Sequence, residues 1–368
     1  MKNELSNRTL ARPATSLAAC LMLAAAATAE VPRRHDGRPD LSGTYNTATL
    51  TPLVRPSLYG DRLELTAEEA KAIADTKAER YASDYAPSDP DREAPPVGGS
   101  DDIFDPSLIG AAGGVGGYNA FYLDPGENTF MIDGKYRTSI MTDPPDGRFP
   151  PLTPAGRAQA AAASAGFQKN TGTAWWIDRE IGPYDDMEQR PLPERCILGF
   201  GSTAGPPMLP SLYNSMKTIV HTDDYVVILV EMNHDARIIR MQGSHLPASI
   251  DRWMGDSVGR WEGDTLVVET RNLKLPFGMG LPVMAEGSDR MRVVERFRRT
   301  DAGTLIYSFT VDDPSTWTAP WSGEYPWPRS EHRVYEYACH EGNYALGNIM
   351  RGARLLESEA RADSSGGR

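Results

Sequence analysis

From Lys217 onward the hydrophobic and polar positions describe strand after strand. Tyr225–Glu231 is a near-continuous apolar run, and Ala236–Met241 follows it across the turn Asn233-His234-Asp235. Leu266–Glu269, Met291–Phe297 and Thr304–Val311 come next. In the last of these, Leu305, Tyr307, Phe309 and Val311 alternate with Thr304, Ile306, Ser308 and Thr310, which makes one strand face apolar and aromatic. The same period puts Arg237 and Ile239 on one face and Ile238 and Arg240 on the other, so one arginine of the two turns inward. Arg333–Tyr337 is the last expected strand. Connections such as Asp301-Ala302-Gly303 leave no room for crossover helices, which predicts antiparallel pairing. The stretch around which these elements are arranged is Gly255–Thr270, GDSVGRWEGDTLVVET. It reads as a tight turn and a glycine-spaced tryptophan corner, followed by a strand over Leu266–Glu269.

Two helices are expected outside the strands. Thr66 opens the first, which runs to about Tyr81, with Glu69 placed to complete a capping box. Thr153 caps the second, with Pro154 at its first position and Gly166 at its end. Ser83–Gly117 is rich in Pro, Asp and Gly and reads as a long loop or lid. Its GAAGGVGG run, Gly110–Gly117, lacks the Gly-Lys-Ser/Thr ending of a phosphate loop. Short strands are expected at Tyr118–Tyr122, Asn128–Ile132 and Lys135–Met141, and Gln168–Pro193 is irregular. The expected fold class is mainly β with a minor α component. It is an antiparallel β-barrel with two peripheral helices and long N-terminal loops. Residues 30–200 wrap the barrel, 201–354 form its core, and 355–368 are a disordered tail.

The start of the chain reads as a targeting segment. Lys2, Arg8 and Arg12 precede the apolar run Leu17–Ala27, and Ala27-Thr28-Ala29 is a small-x-small cleavage site. That is a secretory signal peptide over residues 1–29, cut before Glu30, and the expected location is periplasmic or secreted. A lipoprotein box at Leu17-Ala18-Ala19-Cys20 is the alternative. The net charge is −12, and loss of the signal makes it two units more negative. Such a chain is poorly suited to nucleic acid or an anionic membrane surface. Of the three cysteines, Cys20 leaves with the signal. Cys196 and Cys339 are expected to form a disulfide in an oxidising compartment, with two separate buried thiols as the alternative.

Several long stretches together resemble one family. These are DPPDGRFPPLT (Asp143–Thr153), ERCILG (Glu194–Gly199), EMNHDARII (Glu231–Ile239), the stretch Gly255–Thr270, TVDDPSTWTAPW (Thr310–Trp321) and YEYACHEGNY (Tyr335–Tyr344). The chain is similar to a widespread family of secreted bacterial proteins that carries no named function. The resemblance spans nearly all of Pro39–Arg354 and supplies no catalytic mechanism. Gly43-Thr44-Tyr45 resembles the opening Gly-x-Trp of lipocalin-like barrels, with Tyr45 in place of the tryptophan. With the strand pattern, that resemblance implies a lipocalin-like (calycin) barrel.

The residues suited to chemistry gather in the second half. His234 and Asp235 sit in a two-strand turn, and a histidine beside a carboxylate serves as a general base. A plain polar turn is the alternative. His340 and Glu341 follow Cys339 and are held in place if that cysteine is bridged. These four are the candidate catalytic residues. Arg237 is the candidate clamp for a substrate carboxylate. His245 is placed at a barrel mouth. Trp253, Tyr307, Trp317 and Trp321 are candidate ligand contacts, the last two in a Pro-rich loop that also carries Tyr325 and Trp327. No HxH or HExxH occurs, so no metal is assigned. Gly255–Gly259 fits G-x-S-x-G only as a turn without the strand-to-helix setting of a nucleophile elbow, so no serine nucleophile is assigned either.

The expected function is a periplasmic enzyme of lyase, decarboxylase, hydratase or isomerase type, working without a cofactor. It would act by acid–base chemistry on a small hydrophobic, aromatic or polycyclic compound held inside the barrel. One alternative is a non-catalytic carrier for such compounds. Another is a metal-dependent hydrolase, which requires at least three of His234, Asp235, His245, His340 and Glu341 to converge.

Overall fold

The computed structural model describes residues 30–84, 91, 123–166, 172–199, 203, 205–274 and 287–366. The expected signal peptide, the expected Tyr118–Tyr122 strand, the glycine run and most of the expected loop lie outside these residues.

The chain is mainly β. Its principal sheet has ten strands, curled strongly into a half-barrel with the helices outside. In chain order the strands are β1 (Gly43–Asn46), β2 (Glu64–Leu65), β3 (Met131–Ile132), β4 (Lys135–Arg137), β5 (Met141–Asp143), β6 (Met216–His221) and β7 (Tyr225–Val230). They continue with β8 (Ala236–Arg240), β9 (Asp256–Glu262), β10 (Thr265–Arg271), β11 (Arg292–Arg299), β12 (Thr304–Asp312) and β13 (Trp321–Pro328). Their order in the large sheet is β1-β6-β7-β8-β9-β10-β11-β12-β13-β5, and β2-β4-β3 make a small second sheet. The ladders are antiparallel except for β8 on β9, whose parallel pairing requires the long connection over Met241–Gly255. Beyond the end of β13, Arg329 bridges Tyr45, and the Ser330 amide donates to the Thr44 carbonyl at 2.8 Å. These contacts bring β1 to the end of β13 and curl the sheet towards closure.

The period-two reading holds in detail. Leu305, Tyr307, Phe309 and Val311 are all buried. Arg237 is 2% exposed and Ile239 is fully buried, whereas Ile238 is 58% exposed. The interior is filled by side chains. Tyr307 stacks on Trp327 at 4.9 Å between centroids, and Phe309 meets Trp321 edge-on at 5.6 Å.

Both helix caps form as the sequence predicts. In α1 (Ala67–Asp84) the Glu69 amide donates to Thr66 Oγ1 at 3.2 Å, and Glu69 Oε2 accepts the Thr66 amide at 2.8 Å. In α2 (Pro154–Gly166) the Gly156 amide donates to Thr153 Oγ1 at 3.0 Å.

Four expectations need correction. Asp256–Glu262 is not a turn and corner but a full strand, paired with β10 through the tight turn at Gly263, whose φ is +60°. Gly259 lies within it because a Cβ there would stand 3.0 Å from Ile239 Cγ2 and Met241 Sδ. Trp321–Pro328 is not a loop but β13, running alongside β12. Arg333–Tyr337 is not a strand; its backbone is held by side chains of the β7–β8 turn. Finally, the stretch expected as a disordered tail from residue 355 is helical as far as Gly366, because α3 spans Tyr344–Gly366. Asn343 caps it through Oδ1, which accepts the Leu346 amide at 3.3 Å. Ala353, Leu356 and Ala360 pack on Trp175, Trp176 and Tyr184, and Trp176 Nε1–H donates to Glu357 Oε1 at 2.7 Å.

Candidate functional site

Cys196 and Cys339, 143 positions apart in sequence, are joined in a disulfide. The bridge ties the arm that follows β13 to the irregular segment before β6. On the chain-entropy model, a loop of this length stabilises the fold by about 4–5 kcal/mol. Around the bridge lies a cleft of about 280 Å³ lined by Cys196, Asn233, His234, Tyr337, His340 and Glu341, with Glu336, Ala338 and Cys339 completing it. Three separated stretches meet here: Glu194–Gly199, Glu231–Ile239 and Tyr335–Tyr344.

The arm is fixed by side chains reaching up from the β7–β8 turn. Glu231 Oε1 accepts the Tyr335 amide at 3.3 Å, and His234 Nε2 accepts the Tyr337 amide at 2.8 Å. On the other side, Asn343 Nδ2 donates to the Glu194 carbonyl at 2.8 Å. The arm therefore needs no strand partner. Satisfying the Tyr337 amide through Nε2 places the neutral ring's proton on Nδ1 of His234.

The backbone of the cleft is strained. Cys196, Asn233 and His234 have φ of +56°, +58° and +53°. Among the described residues only six non-glycine positions take positive φ, and these three line one cleft. A side chain in the left-handed region costs roughly 1–2 kcal/mol per residue. Such strain concentrates where geometry is under functional constraint.

The expected catalytic residues divide into two roles. His234, His340 and Glu341 share the cleft. Asp235 turns beneath it, where Oδ2 accepts the Gly199 amide at 3.4 Å, and burial pushes its carboxyl up to about 6. The side chains of His234 and Asp235 bind different backbone amides, so Asp235 acts on the ring through charge. His340 is exposed, and no hydrogen bond holds its ring among the described residues.

The expected ligand contacts lie elsewhere. Arg237 is no open clamp. Its guanidinium pairs with both oxygens of the buried Glu295, the Nη1–Oε1 distance being 2.7 Å. Thr270 Oγ1 and Ser257 Oγ accept its remaining donors. Tyr307 donates to Glu295 Oε1 at 2.7 Å and accepts the Met208 amide at 2.8 Å. Trp317 and Trp321 are core residues packed with Phe149. His245 lies past the far end of β8, with Nδ1 3.0 Å from Asp256 Oδ2 and Nε2 3.6 Å from Glu269 Oε1. Trp253, in the same connection, carries Lys274 Nζ 4.6 Å above its ring. Among the described residues, no group of three His, Cys, Asp or Glu side chains is arranged to hold a metal ion. No helix among them is long and apolar enough to cross a membrane.

Two buried residues escape the sequence reading, and both carry a legible signal. Glu295 shares its strand face with Val293, Phe297 and Arg299, so alternation alone turns it inward. Lys217 shares its face with Ile219 and is fully buried, donating to Thr47 Oγ1 at 2.9 Å. No family model, curated protein or solved structure matches this chain.

Proposed function

We propose that the protein is an enzyme of lyase, decarboxylase, hydratase or isomerase type that moves protons without an organic cofactor, with the cleft at the disulfide as its site. The observation that carries this reading is the convergence of His234, His340 and Glu341 on a cleft whose backbone is held in left-handed conformations at Cys196, Asn233 and His234. His340, exposed and unheld, is the proton-transfer group. Glu341 supports its charge. His234 is a positioning residue, because its Nε2 is committed to the Tyr337 amide.

The substrate is a small neutral hydrophobic or aromatic compound set against Tyr337. Glu336 and Glu341 make the cleft unwelcoming to anions, and Arg237 is occupied by Glu295. The filled barrel interior favours this rim site over an internal one. A secreted location belongs to the same reading, and the Cys196–Cys339 disulfide supports it.

The test begins with a screen of neutral aromatic compounds for binding and turnover. His340→Ala is expected to lower turnover by about 10²–10⁴-fold while leaving binding within a few-fold. His234→Ala is expected to weaken both, because the arm loses its anchor. Turnover that survives His340→Ala overturns the assignment.

A further inference from the structure

Arg55 lies on the opposite side of the sheet order from the cleft, against the turn that follows β5. Its side chain is 2% exposed. Nη1 donates to the Pro145 carbonyl at 2.6 Å, and the backbone amide donates to the Gly147 carbonyl at 2.9 Å. Nε and Nη2 are buried and have no partner among the described residues. Those two atoms form the side-on edge of the guanidinium, the edge whose parallel N–H groups fit the two oxygens of a carboxylate or phosphate. A buried charged donor without a partner is costly, and two on one edge are far from the native norm.

Three features of the surroundings bear on an oxyanion. Gly147, with φ of +68°, lets the turn lie close against the stem, since a Cβ there would stand 2.8 Å from Arg55 Cβ and 2.9 Å from Nε. Arg148 is close enough to act on Arg55 by charge and is exposed, with no acidic partner among the described residues. Asp61 and Asp146 also act on Arg55 by charge, yet neither hydrogen-bonds it, and Asp146 Oδ1 accepts the Arg148 amide at 3.0 Å. Both carboxylates repel an incoming anion, so binding there rests on the Nε–Nη2 edge with Arg148.

We propose that Arg55 is an oxyanion-binding residue. Its Nε–Nη2 edge takes one carboxylate or phosphate group of a ligand, with Arg148 assisting from the surface. The proposal is independent of the cleft at the disulfide.

The probes are sodium benzoate and inorganic phosphate, each against chloride at matched ionic strength. The readouts are Tm and the Nε–H resonance of Arg55 in ¹⁵N spectra. One of the two probes is expected to raise the wild-type Tm and move that resonance, and which one does so gives the ligand's class. Arg55→Lys keeps the charge and loses the edge, so its affinity is expected to fall at least about tenfold. Arg55→Met is expected to be no less stable than wild type without the anion and to lose the response. The proposal is overturned if neither probe moves the Nε–H resonance. Equal binding by Arg55→Lys overturns it as well.

Discussion

Arg237→Ala is expected to lower folding stability by about 3–5 kcal/mol, enough to leave much of the protein unfolded at moderate temperature. The loss comes from what remains behind. Glu295 is fully buried, and its carboxylate is balanced by Arg237 on one side and by the Tyr307 hydroxyl on the other. Removing the arginine leaves a charge in the barrel with a single neutral donor, and the Ser257 and Thr270 hydroxyls lose their shared partner. Replacing both members, Arg237→Met with Glu295→Leu, is expected to recover a large part of the loss, because an apolar pair has no charge to strand. Urea unfolding of the three proteins measures it. A double variant no more stable than Arg237→Ala would show that the network contributes by shape rather than by charge.

Lys217→Met is expected to stabilise the protein, most strongly at and below neutral pH. Burial lowers the Lys217 ammonium from the ordinary 10.5 to about 7, with Glu231 pulling the other way. Between those values the unfolded chain holds a proton that the folded chain lacks. Unfolding therefore takes up a proton, and stability rises with pH across that window. Below pH 7 both states are protonated and the whole penalty is present, on the order of 3–5 kcal/mol. Above the ordinary value it is gone. Methionine removes the penalty and gives up one hydrogen bond to Thr47 and the approach of Nζ to the Trp327 ring. The gain is expected to be large at pH 6, smaller at pH 8 and near zero at pH 10. A gain independent of pH would contradict the account.

These two interior residues mark what can be read from the chain. Alternation placed Arg237 inward, and Thr66 and Thr153 announced both caps, because these signals are local. The disulfide was legible because only two cysteines lie outside the expected signal segment. Strand β13 was hidden by Pro326 and Pro328, which read as a loop. Beyond Gly323 its outer edge has no β5 partner, so the missing amides cost no ladder bond on that side. Helix α3 was hidden by Gly347, Gly352 and a charged end. Its burial comes from Trp175 and Trp176, far away in sequence, which no local pattern reveals. The cleft was legible by parts, since His234, His340 and Glu341 are all candidates by residue type. The separation of His234 from Asp235 was not, because it depends on which backbone amides the fold brings to each side chain.

The most direct test of the cleft as the site is a titration followed through the histidine ring signals. ¹³C–¹H spectra are recorded while the first neutral aromatic compound found to bind is added. His234 and His340 are predicted to move together with one midpoint. His245, which lies beyond β8 at about 3.3 Å per residue of strand and is held by Asp256 and Glu269, is predicted to stay still. Saturation that leaves His340 unmoved, or that shifts His245 instead, would contradict the assignment of the site to the disulfide cleft.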